Sequence, residues 1–137
     1  MITATQMTAA HNMKCPFCHP SPLDIKFSNE LCYAREDTFP VNPGHMLVIP
    51  FRHIADFFEI KEDERTAMFE LLWLVRDRSL ETFSPDGFNV GINAGEVAGQ
   101  TVMHVHLHLI PRFKGDVADP RGGVRWIIPA KARYWPG

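Results

Sequence analysis

A row of alternating histidines near the end of the chain constrains the fold most strongly. In Thr-Val-Met-His-Val-His-Leu-His-Leu-Ile-Pro-Arg, residues 101–112, His104, His106 and His108 occupy every second position. Successive side chains on a β-strand point to opposite faces, so the three histidines are predicted to share one face of a strand. The pattern predicts a strand with a core on one side and a polar cleft on the other. The core side is then lined by Val105, Leu107 and Leu109.

Three histidines on a straight strand converge poorly on one metal ion. At a rise of about 3.3 Å per residue, the Cα atoms of His104 and His108 lie roughly 13 Å apart. Nitrogen ligands lie about 2.1 Å from a zinc ion, and therefore within about 4 Å of each other. The spacing therefore indicates that the three histidines serve different roles and do not all bind one ion. The alternative is a structural row, in which each buried imidazole needs its own hydrogen-bond partners.

Length and charge limit the possible functions. With 137 residues and 45% hydrophobic content, the chain suits one domain, expected over residues 13–137 with a tail over 117–137, after a flexible extension of residues 1–12. The net charge of -2 gives no general attraction to nucleic acid or to an anionic membrane, so neither is expected as a partner. The opening residues lack a signal-peptide pattern, and no apolar run approaches the ~20 residues of a spanning helix. A cytoplasmic location is therefore expected.

Two of the three cysteines form the motif Cys15-Pro-Phe-Cys18. So few cysteines fit a secreted disulfide framework poorly. A redox role needs a thioredoxin-like strand-to-helix setting, whereas the following His-Pro-Ser-Pro favours a turn. Zinc binding is the better interpretation if two further ligands exist, and a metal-free remnant of such a site is the alternative. Cys32, within Glu-Leu-Cys-Tyr-Ala-Arg-Glu, is predicted to lie in the core.

The remaining pattern predicts an α+β protein with a largely antiparallel sheet. A long helix is expected from Glu62 to about Ser84, because apolar residues recur at helical spacing and acidic residues crowd its first turn. Strands are expected before it near residues 24–28, 30–35 and 45–50, and after it over Phe88–Asn93 and along the histidine row.

The loop of residues 94–100 leads directly into the histidine row. Its glycines allow backbone amides to approach anionic oxygens, which makes it a weak phosphate signal on its own. A neighbouring nucleophile strengthens that signal. Imidazole attacks phosphorus when one ring nitrogen is neutral and a hydrogen bond to the other fixes the tautomer.

The segment His104-Val-His106-Leu-His108-Leu-Ile resembles the signature of the HIT (histidine triad) family. The resemblance extends through PGHMLVIPFRHI, NAGEVAGQTV and IPRFKGD, over roughly residues 13–116. It implies a HIT-like fold with a mostly antiparallel sheet, one long helix and short helices. It also implies a nucleotide hydrolase or transferase that attacks an α-phosphate and passes through a nucleotidyl-histidine.

Site roles follow from the same resemblance. His106 matches the nucleophile, and His108 matches the histidine that hydrogen-bonds the phosphate and assists the leaving group. Asp37 matches the residue that holds ribose hydroxyls; the alternative for it is a turn-forming role. His45 would lie near the site or brace it; the alternative for it is a structural role. The expected phosphate-site residues are Asn93, Gln100 and Thr101.

The resemblance also implies a structural zinc ion, held by one cysteine pair and two histidines. This Cys2His2 set suits a closed tetrahedral site, and magnesium would accompany only the substrate phosphates. The expected zinc ligands are Cys15, Cys18, His53 and His104.

Two branches of the family remain open. Residues flanking the histidine row look more like Fhit-like dinucleoside polyphosphate hydrolases than Hint-like phosphoramidases, and adenine is the expected base. The tail after Asp116 departs from both patterns. A homodimer is implied, in which Arg125 and Trp126 would reach the leaving group; a surface strand with a buried Trp is the alternative. A vestigial nucleotide-binding module and a metallohydrolase using His106 and His108 as ligands are the other functions left open.

Overall fold

One antiparallel sheet carries the histidine row. The computed structural model describes residues 14–137, so the expected extension over residues 1–12 lies outside the described residues. The sheet has five strands in the order β1-β2-β3-β5-β4. They are β1 (Phe27–Ser28), β2 (Cys32–Glu36), β3 (Met46–Pro50), β4 (Gly87–Gly91) and β5 (Leu107–Arg112). The predicted α+β class with an antiparallel sheet is confirmed.

The long helix α1 spans Glu62–Phe83 and packs on one face of the sheet. Three acidic residues occupy its first turn, where the helix dipole favours them, and Ser84 ends it in the left-handed conformation with φ 49°. A short helix α2 (Pro129–Ala132) and three 3-10 turns, at Phe57–Glu59, Glu96–Ala98 and Gly123–Ile127, complete the described helices. Within residues 14–137, no helix combines the length and apolar character needed to cross a bilayer.

The two faces of the sheet bury different clusters. The main core lies between the sheet and α1, and the predicted row of Val105, Leu107 and Leu109 is part of it. Cys32 also lies there, fully buried as predicted. The opposite face carries a smaller cluster of Phe17, Tyr33, Leu47 and Ile49. Because His108 pairs with Leu47, the histidines lie on this second face.

Several predicted strand bounds are wrong. β5 begins at Leu107, so His104 and His106 precede the strand that was expected to carry all three histidines. The reason is a change of partner: β3 pairs with β5 only as far as Leu107, and upstream the Val105 N–H donates to the Ile54 carbonyl at 2.8 Å. β4 ends at Gly91 rather than Asn93. The first strand is reduced to two residues, Phe27–Ser28.

A partly buried ion pair joins the first turn of α1 to the segment that follows β3. Glu64, 3% exposed, accepts hydrogen bonds from Arg52 at 3.0 and 2.7 Å and from the Lys61 N–H at 2.9 Å. Burial raises the pKa of the Glu64 carboxyl, but the bonds from Arg52 and Lys61 outweigh it and leave the pKa below its usual value. This pair holds the backbone immediately before His53.

Candidate functional site

The four residues expected to hold zinc lie together, and one donor atom from each falls within 4.8 Å of the others. The Nδ1 atom of His104 is 3.4 Å from the Cys15 sulfur, 3.5 Å from the Cys18 sulfur and 3.2 Å from His53 Nδ1. The Cys18 sulfur lies 3.1 Å from His53 Nδ1. Tetrahedral zinc, with bonds near 2.3 Å to sulfur and 2.1 Å to nitrogen, requires ligand separations of about 3.3 to 3.8 Å. The donor set therefore fits a tetrahedral ion with little adjustment.

The imidazole of His104 is oriented for such a role. It is fully buried, and its Nε2 lies 2.7 Å from the Pro50 carbonyl oxygen. A carbonyl only accepts, so Nε2 carries the hydrogen and Nδ1 presents its lone pair to the cysteine pair. A hydrogen bond from the second ring nitrogen is the usual way in which proteins orient a metal-binding histidine.

Phe17, between the two cysteines, connects this cluster to the rest of the histidine row. Its carbonyl accepts a 2.6 Å hydrogen bond from the hydroxyl of buried Tyr33, which fixes the cysteine turn on the sheet. Burial raises the pKa of that hydroxyl, so it stays protonated and donates. The Phe17 ring contacts His104 and His106 edge-on, with centroids 6.0 and 5.1 Å apart.

His106 is held in the tautomer that a nucleophile needs. Its Nδ1 lies 2.8 Å from the carbonyl oxygen of His104, so Nδ1 carries the hydrogen and Nε2 keeps the lone pair of the neutral ring. The side chain is 9% exposed, and its ring centroid is 5.3 Å from that of His108. The backbone carbonyl of His104, an expected zinc ligand, thus contacts the imidazole of His106, the expected nucleophile.

His108 is held in the opposite tautomer by a chain of hydrogen bonds through His45. The Val41 N–H donates to His45 Nδ1 at 3.2 Å, which leaves the hydrogen of neutral His45 on Nε2. That nitrogen lies 2.9 Å from His108 Nδ1, which therefore accepts. His108 then carries its own hydrogen on Nε2. Neighbouring imidazoles thus offer a lone pair from His106 and an N–H from His108.

Burial favours the neutral forms of His45 and His108. It lowers the pKa of His108 to about 4, with further lowering from the charges of His106 and His45 and an opposing effect of Asp37. Burial also lowers the pKa of His45, against the attraction of Asp37. The Asp37 carboxylate lies 3.4 Å from His45 Nε2 and 3.9 Å from His108 Nδ1, and it accepts from the Phe39 N–H at 2.8 Å. Asp37 is half-buried beside His45 and His108.

The loop before the histidine row is braced from within. Gly95 and Gly99 adopt φ of 98° and 97°, which favour glycine. Gln100, 4% exposed, accepts from the Gly95 N–H at 2.9 Å and donates to the carbonyls of Ala55 and Val102 at 2.8 and 3.1 Å. Its amide is therefore committed to the backbone, so Gln100 positions the loop.

The loop was expected to offer backbone N–H groups to an anion, and for four of its amides this expectation is wrong. The N–H groups of Gly95, Ala98, Gly99 and Gln100 all donate to acceptors within the loop itself. The 3-10 turn at Glu96–Ala98 accounts for this, because its tight hydrogen bonds use the donors that an anion would need. Asn93 and Thr101 are exposed at the two ends of the loop.

Two residues of the site were given no chemical role by sequence reasoning. His45 was left between a bracing and a structural role, and Phe17 was not singled out. The position of His45 directly before a buried strand was a usable signal, because an imidazole there must find partners. The pairing that brings it to His108 depends on the register of β3 with β5.

Sequence comparisons relate the chain to known proteins. The HIT domain model matches residues 21–115. The chain is 41% identical to a bis(5'-adenosyl)-triphosphatase of Dictyostelium discoideum over 97 residues, which cover 68% of this chain and 62% of that protein. It is 36% identical to an asymmetrical bis(5'-nucleosyl)-tetraphosphatase of Schizosaccharomyces pombe over 100 residues, covering 73% and 55%. The chain thus spans less than two thirds of the length of these two relatives.

A solved structure gives the same comparison in three dimensions. The chain is similar to a zinc-bound histidine triad family protein from Mycobacterium smegmatis, with a TM-score of 0.69 and 32% identity. The match covers 78% of this chain and 81% of that one.

Proposed function

Because the chain belongs to the HIT domain family, we propose that it hydrolyses a dinucleoside polyphosphate through a covalent nucleotidyl intermediate on His106. The opposite tautomers of His106 and His108 carry this proposal, since they set a nucleophilic nitrogen beside a hydrogen-bond donor. Relatives named as diadenosine polyphosphate hydrolases support the substrate class.

In the first step, His106 Nε2 attacks the α-phosphorus. A nitrogen–phosphorus bond forms, and the bond from the α-phosphorus to the bridging oxygen of the leaving polyphosphate breaks. The positive charge that develops on the ring is shared with the His104 carbonyl, which accepts the His106 Nδ1 hydrogen at 2.8 Å. In the second step, water attacks the same phosphorus, the nitrogen–phosphorus bond breaks and returns its electron pair to His106 Nε2, and one proton of the water is lost to solvent. The nucleoside monophosphate is released and neutral His106 is regenerated.

His108 stabilises the leaving oxygen by a hydrogen bond from Nε2. A neutral imidazole does not give up that hydrogen, and a pKa of about 4 keeps His108 neutral at physiological pH. A polyphosphate leaves as an anion and needs only the hydrogen bond, whereas an amine leaving group needs a full proton. This difference favours the Fhit-like substrate over a Hint-like phosphoramidate.

The retained nucleoside is proposed to bind beside Asp37. Its carboxylate lies next to the His45–His108 pair, where it can accept from two ribose hydroxyls. Asn93 and Thr101 would line the phosphate side, on the loop that Gln100 braces. Adenine is the proposed base, and magnesium would accompany the substrate phosphates.

A structural zinc ion is proposed at the Cys15, Cys18, His53 and His104 cluster, where the donor atoms fit tetrahedral coordination. When bound, zinc would cross-link the cysteine turn, the segment after β3 and the start of the histidine row. The carbonyl of His104 would then be fixed in position, and with it the Nδ1 hydrogen of His106.

A homodimer is proposed as the working form. Strand β4 is a sheet edge with one side unpaired among the described strands. Helix α1 presents a stripe of large apolar side chains at helical spacing, with Phe69, Trp73 and Leu80 exposed by 38%, 59% and 40%. A second copy of the chain would cover both features.

A metallohydrolase is the second candidate, favoured by one observation. Asp37, His45 and His108 place three donor atoms within 4.8 Å of one another, which is a spacing a metal ion accepts. The 2.9 Å hydrogen bond between the imidazoles of His45 and His108 favours the histidine mechanism instead, because it already occupies the two nitrogens that would bind the metal. A metal-activated water predicts activity lost on chelation and no covalent adduct.

Intact-protein mass spectrometry distinguishes these functions. Wild-type and His108→Ala protein would be mixed with diadenosine tetraphosphate and quenched without acid. We expect a mass increase of one AMP that is absent in His106→Ala, with steady turnover in the wild type. An absent adduct together with turnover would favour the metal-activated water. Nucleotide binding with neither adduct nor turnover would favour a vestigial binding module.

A further inference from the structure

A cavity of about 510 Å³ lies beside the histidine row, between the sheet and the C-terminal tail. Small-molecule sites typically enclose about 300–1,000 Å³. One wall is Ile110 and Arg112, the next same-face residues after His108 on β5, together with Asn89, which pairs with Ile110. The opposite wall is the tail, with Val124 and the ring of Trp126.

We propose that this cavity binds the nucleoside of the leaving group. The inference rests on the proposed hydrolysis, and it deepens that proposal by assigning the second half of the substrate. Asp37, beside the proposed ribose of the retained half, follows β2, whereas the cavity lies over β4 and β5. The strand order β2-β3-β5-β4 therefore places the two nucleosides on opposite flanks of His108.

The charges of the lining favour a neutral occupant. The cavity is lined by one guanidinium, Arg112, and two carboxylates, Asp116 and Asp119. Arg112 is already paired with Asp116, through bonds of 2.7 and 2.8 Å. Asp119 is likewise paired with Arg121, at 2.9 Å. A phosphate would therefore find no uncommitted guanidinium in the lining, whereas a nucleobase and ribose need none. The phosphates of the leaving group would then lie between His108 and the cavity mouth.

The chemistry of the walls suits a nucleobase. The ring of Trp126 offers a stacking surface, and Val41, Ile110 and Val117 add apolar side chains to the lining. Asn42 and Asn89 place side-chain amides in the lining. The Asn89 oxygen accepts from Arg112 at 2.6 Å, which directs the Asn89 amide nitrogen as the donor to a base edge, and the Asn42 oxygen is the acceptor. The Asn42 amide nitrogen is already bound to the Pro111 carbonyl and to Asp116, which fixes its orientation.

The tail is ordered by its own contacts, so the wall exists before a ligand binds. The Trp126 indole N–H donates to the Arg121 carbonyl at 2.8 Å, and the Arg133 guanidinium lies 5.6 Å from the ring centroid. Arg125 donates to the carbonyls of Ala132 and Lys131 at 2.9 and 2.7 Å. Arg125 therefore supports the tail, and Trp126 faces a cavity of its own chain. A pre-ordered aromatic wall lowers the entropic cost of binding.

The test compares two ligands that differ only in the second nucleoside. Diadenosine tetraphosphate and adenosine 5′-tetraphosphate would be titrated by calorimetry into His106→Ala protein, which keeps the cavity and cannot form the adduct. We expect the dinucleotide to bind about tenfold more tightly, a typical effect of stacking one base. Adding Trp126→Ala should remove this preference, and Trp126→Phe should retain most of it.

A cavity-filling variant guards against loss of the tail structure. Val124→Trp adds bulk to the cavity wall and leaves Trp126 itself unchanged, and it should also abolish the preference. Equal affinity of both ligands for the His106→Ala protein would overturn the proposal, as would an equal loss for both ligands in Trp126→Ala. Because the readout is binding, an absence of wild-type turnover would count against the proposed hydrolysis alone.

Discussion

His45 Nε2 lies 2.9 Å from His108 Nδ1, and this contact fixes which ring nitrogen of His108 carries its hydrogen. We expect His45→Ala to lower kcat by roughly ten- to a hundredfold, because His108 would then adopt both tautomers. KM should change little, since His45 is 4% exposed and directs its Nε2 at His108. Steady-state kinetics with diadenosine tetraphosphate measures both constants.

The exposed histidine His19 provides the matched control for that variant. His19→Ala should retain wild-type kinetics, and His45→Gln, which keeps a donor near the same place, should recover part of the lost kcat. A rise in KM with kcat unchanged in His45→Ala would show that His45 serves substrate binding instead.

The depressed pKa of His108 predicts a loss of stability in mild acid. The unfolded chain protonates this ring near pH 6.5, whereas the folded chain does so only near pH 4. Between these values the unfolded state binds more protons, so the free energy of unfolding falls as the pH falls, by at most about 3 kcal/mol from this group. Urea unfolding at several pH values between 7 and 4 measures the slope.

His108→Asn isolates this contribution, because it keeps every proposed zinc ligand. Its stability should decline less steeply than that of the wild type between pH 6.5 and 4. Parallel curves for the two proteins would show that His108 does not titrate as its burial requires.

Local patterns in the sequence predicted the parts of the fold that depend on local physics. Helix α1 and the alternation of Val105, Leu107 and Leu109 with the histidines follow from periodicity, and both are present. The start of β5 was not predictable in this way. It depends on where β3 ends and on the hydrogen bond from Val105 to Ile54, which no local pattern encodes.

The candidate site also combines features that the sequence predicted with features that depend on distant contacts. The gathering of Cys15, Cys18, His53 and His104 was expected from the family resemblance, and the structure brings the four together. Contacts that depend on distant backbone were missed: Gln100 donates to Ala55, which is 45 residues away, and this commits its amide to the loop. The tail cavity was missed for a similar reason, since its walls come from three separate segments.

The ion pair between Arg52 and Glu64 should contribute measurably to stability. Glu64→Gln removes the buried charge that pairs with partly exposed Arg52, and we expect a loss of about 2 kcal/mol in the free energy of unfolding. Glu62→Gln, at an exposed position in the same turn, should change it by less than about 0.5 kcal/mol. Urea denaturation of the three proteins provides the comparison, and equal midpoints would contradict the assignment.

The exposed stripe of α1 should mediate the proposed dimer. Trp73→Glu places a charge on a side chain that is 59% exposed in the single chain, and we expect it to convert a dimer into a monomer. Leu23→Glu, at a residue 85% exposed outside α1, should leave the dimer intact. Sedimentation equilibrium measures the mass of each, and a monomeric wild type would remove the basis for this interface.

Zinc should influence catalysis through the backbone of His104. Elemental analysis of protein purified without chelator should find about one zinc per chain, reduced strongly in Cys18→Ser and retained in Cys32→Ala, whose thiol lies in the core. Loss of zinc would free the His104 carbonyl that orients His106 at 2.8 Å. We therefore expect Cys18→Ser to lose kcat by about tenfold or more while AMP affinity falls much less. Wild-type protein without zinc would refute the metal site, and a zinc-depleted variant with full kcat would refute the link to His106.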